Sequence, residues 1–165
     1  MYNSTVDIPM YIGSDEVYTN DKRYLCPPHD HKHVVGTSNY GGSEEVQQAI
    51  DAAMEAREKW SKMSWEHRAS IFLKAADLLA GPFRAKMNAS TMIAQSKNVF
   101  QAEIDAACEL IDFFKFNVQY MSQLYKEQPE SSPGIWNRME HRPLEGFVFA
   151  LTPFNFTSIC ANLCA

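Results

Sequence analysis

The chain has 165 residues, 45% of them hydrophobic and 21% charged, with a net charge of -5 and a pI near 5.5. That is the profile of a globular protein, with no basic stripe to hold nucleic acid and no apolar run of the roughly 18 residues that signal a membrane span. The opening "MYNSTVDIPM" lacks both the basic start and apolar core of a signal peptide and the Arg-rich character of a transit segment.

The first 42 residues read as an extended segment. "PMYIGSDEVYT" places a Gly13-Ser14-Asp15 turn between two short β-prone runs, which predicts a hairpin. "KRYLCPP" stops at two prolines, and "HDHKHVVGTSNYGG" runs out through Gly36 and the Gly41-Gly42 pair.

Residues 43–127 are predicted to be helical. Ser43 offers an N-cap, and Glu44 and Glu45 suit the positive end of a helix running to about residue 62. Val46, Ala49, Ile50, Ala53, Met54 and Trp60 fall on its one apolar face. Ser64 caps a second helix with Phe72, Ala75, Ala76 and Leu79 inward. Gly81 ends it, and Pro82 starts a third that reaches about Gln95. Asn98 caps a fourth, continuing to Tyr125 and so roughly 40 Å long. Its apolar stripe is Phe100, Ala107, Ile111, Phe114, Val118 and Tyr125, widened by Leu110, Phe113, Tyr120 and Leu124. Gln101, Asp105, Glu109, Asp112, Lys115, Gln119 and Gln123 oppose it.

"EQPESSPG" is a linker by composition and opens a segment over 128–146. Residues 135–141 alternate like a half-exposed strand, whereas "FVFAL" at 147–151 is continuously apolar, as in a strand buried on both faces of a parallel sheet. A turn, Thr152-Pro153-Phe154-Asn155, and an apolar helix follow within 147–165. Ligands of doubly wound folds bind at such strand ends, near helix N-termini. Asn155 is either a plain helix cap or a carboxamide that donates to a developing oxyanion.

"PLEGFVFALTPFNFTSI" resembles the strand–turn–helix of the aldehyde dehydrogenase superfamily. "PHDHKHVVG", "RASIFLKAADLLAGPFRA" and "QAEIDAACELIDFFKFN" narrow the resemblance to the Δ1-pyrroline-5-carboxylate (L-glutamate γ-semialdehyde) dehydrogenases. The resemblance runs from about Ile8 to Asn162. It implies an α/β fold: the N-terminal part of an aldehyde-dehydrogenase-like architecture, with a hairpin start, a helical middle, then a hairpin and the first strand of a Rossmann-like parallel sheet. It implies Asn155 as the oxyanion donor and Thr152, Pro153 and Phe154 as the turn that packs along NAD. Glu109 matches an acid near the substrate pocket, where ordinary solvation is the other reading. Phe114 matches an aromatic of the aldehyde tunnel, where core packing is the other reading. Residues 128–146 match an oligomerisation flap, with a simple hairpin edge as the alternative.

The implied reaction is NAD-dependent oxidation of L-glutamate γ-semialdehyde to L-glutamate, in proline breakdown, by a homo-oligomer. In that family a cysteine thiolate attacks the aldehyde and a glutamate activates water. Both lie downstream of the turn, so this chain by itself is expected to be inactive. The alternative expectation is a non-catalytic remnant that docks onto a full-length homologue through its helices and hairpin, a reading motivated by the 147–151 run, a strand without neighbours. An intracellular location is expected, cytoplasmic in a bacterium and the mitochondrial matrix in a eukaryote.

Four cysteines, Cys26, Cys108, Cys160 and Cys164, show no disulfide spacing and read as reduced. Cys160 and Cys164 share a helical face and read as packing residues rather than as nucleophile or ligands. Cys160-Ala161 stands where the family tends to have glycines. His29, His31 and His33 alternate, but no carboxylate grouping makes them a metal site, so no metal is expected.

Overall fold

A computed structural model describes residues 2–163; Cys164 lies outside them. The architecture is mixed α/β, with its strands in the first 39 residues and its helices after them. Strands β1 (Val6–Ile8), β4 (Lys22–Leu25) and β5 (Gly36–Asn39) form one sheet in the order β1-β5-β4, β5 parallel to β1 and antiparallel to β4. β2 (Met10–Ile12) and β3 (Asp15–Val17) form the expected hairpin, pairing Met10 with Val17 and Ile12 with Asp15. Gly13 at φ +62° opens its two-residue turn, the place where this hairpin geometry demands positive φ.

β5 has weak strand residues, Gly-Thr-Ser-Asn, and is held by what flanks it. A Cβ on Gly36 would lie 2.5 Å from the Val6 carbonyl oxygen, so only glycine permits β1 to pair there. At the other end Asn39, 7% exposed, ties three segments together. Its Nδ2 donates to Asp7 Oδ1 and to the Ile8 carbonyl, both at 2.9 Å, and its Oδ1 accepts from the Thr19 N–H at 2.8 Å.

α1 (Ser43–Trp60) begins one residue earlier in capping terms than expected: Gly42 is the N-cap, and its N–H donates to the Glu45 carboxylate at 2.7 Å. The expected apolar face of α1 has no buried residue: Ala53 and Trp60 line a groove, while Val46 and Met54 are exposed. α2 (Trp65–Ala80) starts at Ser64, whose hydroxyl accepts from the His67 N–H at 3.3 Å, and ends at Gly81. α3 (Arg84–Gln95) begins after Pro82, which sits in the turn rather than in the helix. The core forms where α2 meets the long helix: Ala76 and Leu79 pack with Leu110 and Ile111, with Met87 and Phe114 partly buried against them. Each large aliphatic buried there contributes about 1.5–3 kcal/mol. Trp60, Phe72 and Phe114 continue the packing as ring pairs at 6.3 Å and 5.8 Å.

The long helix is not one regular helix. Asn98 caps it as expected, accepting from the Gln101 N–H at 2.9 Å. α4 (Val99–Ala102) then passes into a π-helical turn (Glu103–Cys108) before α5 (Glu109–Lys126). Each helical residue turns the chain by about 100°, so the surplus residue of a π turn rotates everything beyond it. The expected stripe therefore holds below the turn and fails above it. Ala107 and Ile111 are buried and Phe114, Val118 and Tyr125 half-buried, but Phe100 is 72% exposed and Ala102 takes its place inside. Of the widening residues only Leu110 is buried; Phe113, Tyr120 and Leu124 are exposed.

The expected strands at 135–141 and 147–151 form no ladder among the described residues. Side chains satisfy part of the first segment instead: Asn137 donates from Nδ2 to the Glu130 carbonyl at 2.7 Å, and Gln128 Oε1 accepts from the Met139 N–H at 2.9 Å. Apolar composition made 147–151 look buried, yet Phe149 and Leu151 are about four-fifths exposed, because no strand among the described residues lies beside them. The apolar helix expected after the 152–155 turn is a short 3₁₀ turn, Ile159–Asn162.

Candidate functional site

The turn at 152–155 is docked on the junction of α3, α4 and the π turn. Ser96, at φ 54°, ends α3 in the left-handed conformation and reverses the chain. Its hydroxyl lies 2.6 Å from His29 Nδ1. The reversal presents Gln95 and Lys97 to the turn. Gln95 Nε2 donates to the Phe154 carbonyl at 2.9 Å and Lys97 Nζ to the Asn155 carbonyl at 3.0 Å. Lys97 also pairs with Asp105 of the π turn at 2.7 Å and sits 4.7 Å from the centre of the Phe156 ring. Farther on, the buried Ser158 hydroxyl donates to the Ala106 carbonyl at 2.7 Å.

Thr152, Pro153 and Phe154 line a cleft of about 520 Å³ with Met87, Gln95 and Phe156. Phe154 is 94% exposed and offers a bare ring face. Gln95 lines the cleft, while its Oε1 is buried away from solvent with no donor among the described residues. Asn155 is exposed at the end of the same turn.

Glu109 and Phe114 are not part of this cleft. Glu109 is half-buried at the start of α5. Phe114 packs on the core and lines a separate apolar groove of about 860 Å³ between α1, α2, α5 and the 143–148 segment. Arg57 holds that segment by donating from Nε to the Leu144 carbonyl at 2.9 Å.

The π turn carries its own charged cluster. Arg84 Nε donates to Glu103 Oε1 at 2.7 Å, and Asn88 Nδ2 donates to the other carboxylate oxygen. The Arg84 guanidinium, followed by Asn88, holds the Glu103 carboxyl down at about 2. Burial, followed by the Glu103 charge, pushes the neighbouring Cys108 thiol up, which makes it a poor nucleophile.

Among the described residues the histidines do not converge. His29 contacts Ser96, and His33 stacks on Tyr2 with ring centres 4.1 Å apart. No group of three or more His, Cys, Asp or Glu side chains there is arranged to hold a metal ion. No described helix is long and apolar enough to cross a membrane.

The aldehyde dehydrogenase family model matches residues 18–163. The chain belongs to the aldehyde dehydrogenase family. Within that family, it is 50% identical over 97% of its length to a probable delta-1-pyrroline-5-carboxylate dehydrogenase of Schizosaccharomyces pombe, covering 29% of that protein. It is 50% identical to the mitochondrial delta-1-pyrroline-5-carboxylate dehydrogenase of Bos taurus over 96% of its length, covering 28% of that protein. Among solved structures, the Mycobacterium tuberculosis Delta-pyrroline-5-carboxylate dehydrogenase bound with NAD superposes with a TM-score of 0.95 at 47% identity, over 98% of this chain and 30% of that one. The chain thus spans about three tenths of the length of these dehydrogenases and corresponds to their N-terminal part.

Reading the sequence of this family member picked out the 152–155 turn but missed the groups that hold it. Gln95 and Lys97 reach the turn from the end of α3, Asp105 orients Lys97 from the π turn, and Ser158, just past the turn, anchors it to Ala106. The one local signal was a lysine between a helix end and the Asn98 cap, where solvation is the usual fate.

Proposed function

We propose that this chain is the oxyanion-holding and cofactor-facing portion of an NAD-dependent dehydrogenase that oxidises L-glutamate γ-semialdehyde to L-glutamate in proline catabolism. The observation that carries the reading is the Thr152-Pro153-Phe154-Asn155 turn, whose first three residues line a cleft beside the exposed Asn155 and which is held at successive carbonyls by Gln95 and Lys97. Similarity of about 50% to dehydrogenases named for this substrate supports it. Asn155 donates its carboxamide to the aldehyde oxygen as charge develops there, and a turn fixed in advance needs no reorganisation when it does. Thr152, Pro153 and Phe154, which line the cleft, hold the dinucleotide. NAD, when bound, supplies the hydride acceptor. Glu109 meets the substrate's α-amino group, and Phe114 borders the aldehyde's route.

Residues 1–42 form the N-terminal extended segment of the whole enzyme, 43–127 the helical part of its NAD-binding domain, 128–146 the flap through which it forms a homo-oligomer, and 147–165 the start of the dinucleotide-binding sheet. Its compartment is the mitochondrial matrix in a eukaryote, in keeping with relatives named mitochondrial, and the cytoplasm in a bacterium. A second reading, a non-catalytic module that docks onto a full-length homologue, draws on the exposed, unpaired 147–151 run.

The test is a chimaera in which this chain replaces the matching stretch of the Mycobacterium tuberculosis enzyme. It is expected to reduce NAD with L-glutamate γ-semialdehyde, and Asn155→Ala is expected to lower kcat by about 10²–10³. A folded chimaera whose kcat ignores Asn155→Ala defeats the oxyanion role.

A further inference from the structure

We infer that Lys97 is the positioning residue of the Asn155 turn, fixing its main chain from the π turn through Asp105, with Ser158 as a second anchor on the same π turn. The inference rests on the reading of Asn155 as the oxyanion donor.

An ammonium group has three hydrogens to donate and a strong preference for water. The Lys97 side chain is only 18% exposed, and its Asp105 partner 25%. Withdrawing both from water is costly unless each is paired. The pairing found here points inward: the Asp105 carboxylate at 2.7 Å, the Asn155 carbonyl at 3.0 Å and the Phe156 ring at 4.7 Å. A lysine that served only to solvate the surface would not give its hydrogens to a loop 58 residues away.

The geometry restrains the turn on several sides. Gln95 and Lys97, two residues apart, hold the consecutive carbonyls of Phe154 and Asn155. The two carbonyls belong to the peptide planes on either side of the Asn155 Cα, so fixing both sets the backbone dihedrals of Asn155 and with them the direction in which its side chain leaves the backbone. Asp105 orients the lysine, and it stands in the π turn whose Ala106 carbonyl takes the Ser158 hydroxyl. Two contacts of different chemistry, one ionic and one neutral, thus tie the turn to one short stretch of helix. Such support from behind the reacting group is what holds a catalytic side chain to its working geometry.

The test has two arms. In the first, hydrogen exchange is followed by mass spectrometry in the 165-residue chain. Lys97→Met is expected to speed exchange of the Ala161 and Leu163 amides, which donate to the Ser158 and Cys160 carbonyls immediately behind the turn, by about tenfold, the equivalent of one lost charge-assisted hydrogen bond. Exchange in α2 and α5 should not change, and Lys97→Arg should restore the turn. Asp105→Asn, which keeps a hydrogen-bonding group, should give a smaller rise at the same amides. In the second arm, Lys97→Met in the chimaera should lower kcat by about tenfold with KM for NAD held, and Lys97→Arg should recover it.

Turn exchange unchanged in both Lys97→Met and Asp105→Asn overturns the inference. So does faster exchange spread evenly over α2 and α5, since that marks general loosening. A kcat lost in Lys97→Met but not recovered by Lys97→Arg also counts against it. If Asn155→Ala leaves the chimaera's kcat intact while Lys97→Met still loosens the turn, the oxyanion reading has failed and the anchoring has not.

Discussion

The hydroxyl of Ser158 donates to the main-chain carbonyl of Ala106, 52 residues earlier, across a distance of 2.7 Å and out of reach of water. Ser158→Ala removes the donor and leaves a buried acceptor short of a partner. The expected loss is about 1–2 kcal/mol, read as a lower urea midpoint with an unchanged slope. Ser158→Thr, which keeps the hydroxyl, should lose less than Ser158→Ala.

Acid should weaken the helical part through Glu103. Its carboxyl ordinarily titrates at 4.5, and in the folded chain Arg84, followed by Asn88, holds it at about 2. A carboxyl lowered on folding contributes its stability above the unfolded value and loses it as pH falls through the folded one. Urea midpoints measured from pH 5 down to about 2 should therefore fall in the wild-type chain. Glu103→Gln should start lower at neutral pH and show a flatter acid limb. Equal slopes in the two proteins would contradict the pairing.

Gly36→Ala should unseat β1. The added Cβ would meet the Val6 carbonyl at 2.5 Å, and backbone on both sides leaves no flexible side chain to give way. Overpacking of this kind costs about 1–3 kcal/mol. Faster hydrogen exchange at 6–8 and 36–39, with α2 unaffected, would mark the loss as local.

Asn39→Asp puts a second carboxylate against Asp7, whose own carboxyl is already held below its usual range, chiefly by Lys22 and then Thr37. Asn39 Nδ2 now donates to that carboxylate at 2.9 Å; the variant replaces a donor by a like charge. Asn39→Asp should be less stable than wild type at neutral pH, and the deficit should shrink as acid protonates one of the pair. A deficit independent of pH would point to lost hydrogen bonds alone.

Where local chemistry decides structure, the sequence was readable. Ser64 and Asn98 cap helices as expected, and Gly13 turns the hairpin, because each effect is settled within a few residues. β5 was missed since Gly-Thr-Ser-Asn has little strand preference of its own and owes its form to β1 and β4 on either side. The opposite error occurred at 147–151, where five apolar residues have the composition of a buried strand but lack a ladder to join. The π turn was hidden because Glu-Ile-Asp-Ala-Ala-Cys reads as ordinary helix, and only the exposure of Phe100 reveals the shift in phase. At the candidate site, the Pro-Phe-Asn signature was legible as a family resemblance. Its supports, Gln95, Lys97 and Asp105, depend on where α3 ends and how the chain reverses at Ser96.

A surplus residue in a helix works like a spacer in a drive shaft: the two ends keep their length but lose their common timing. Deleting the exposed Ile104 would wind 103–108 back to ordinary pitch and bring Ala102 onto the same helical stripe as Ala107 and Ile111, with Leu110 and Ile111 still facing the core. Anyone excising α5 as a building block can therefore count its inner face from Leu110 onward, whereas a cut upstream of Glu103 carries along a stretch whose inner face is out of step by one residue.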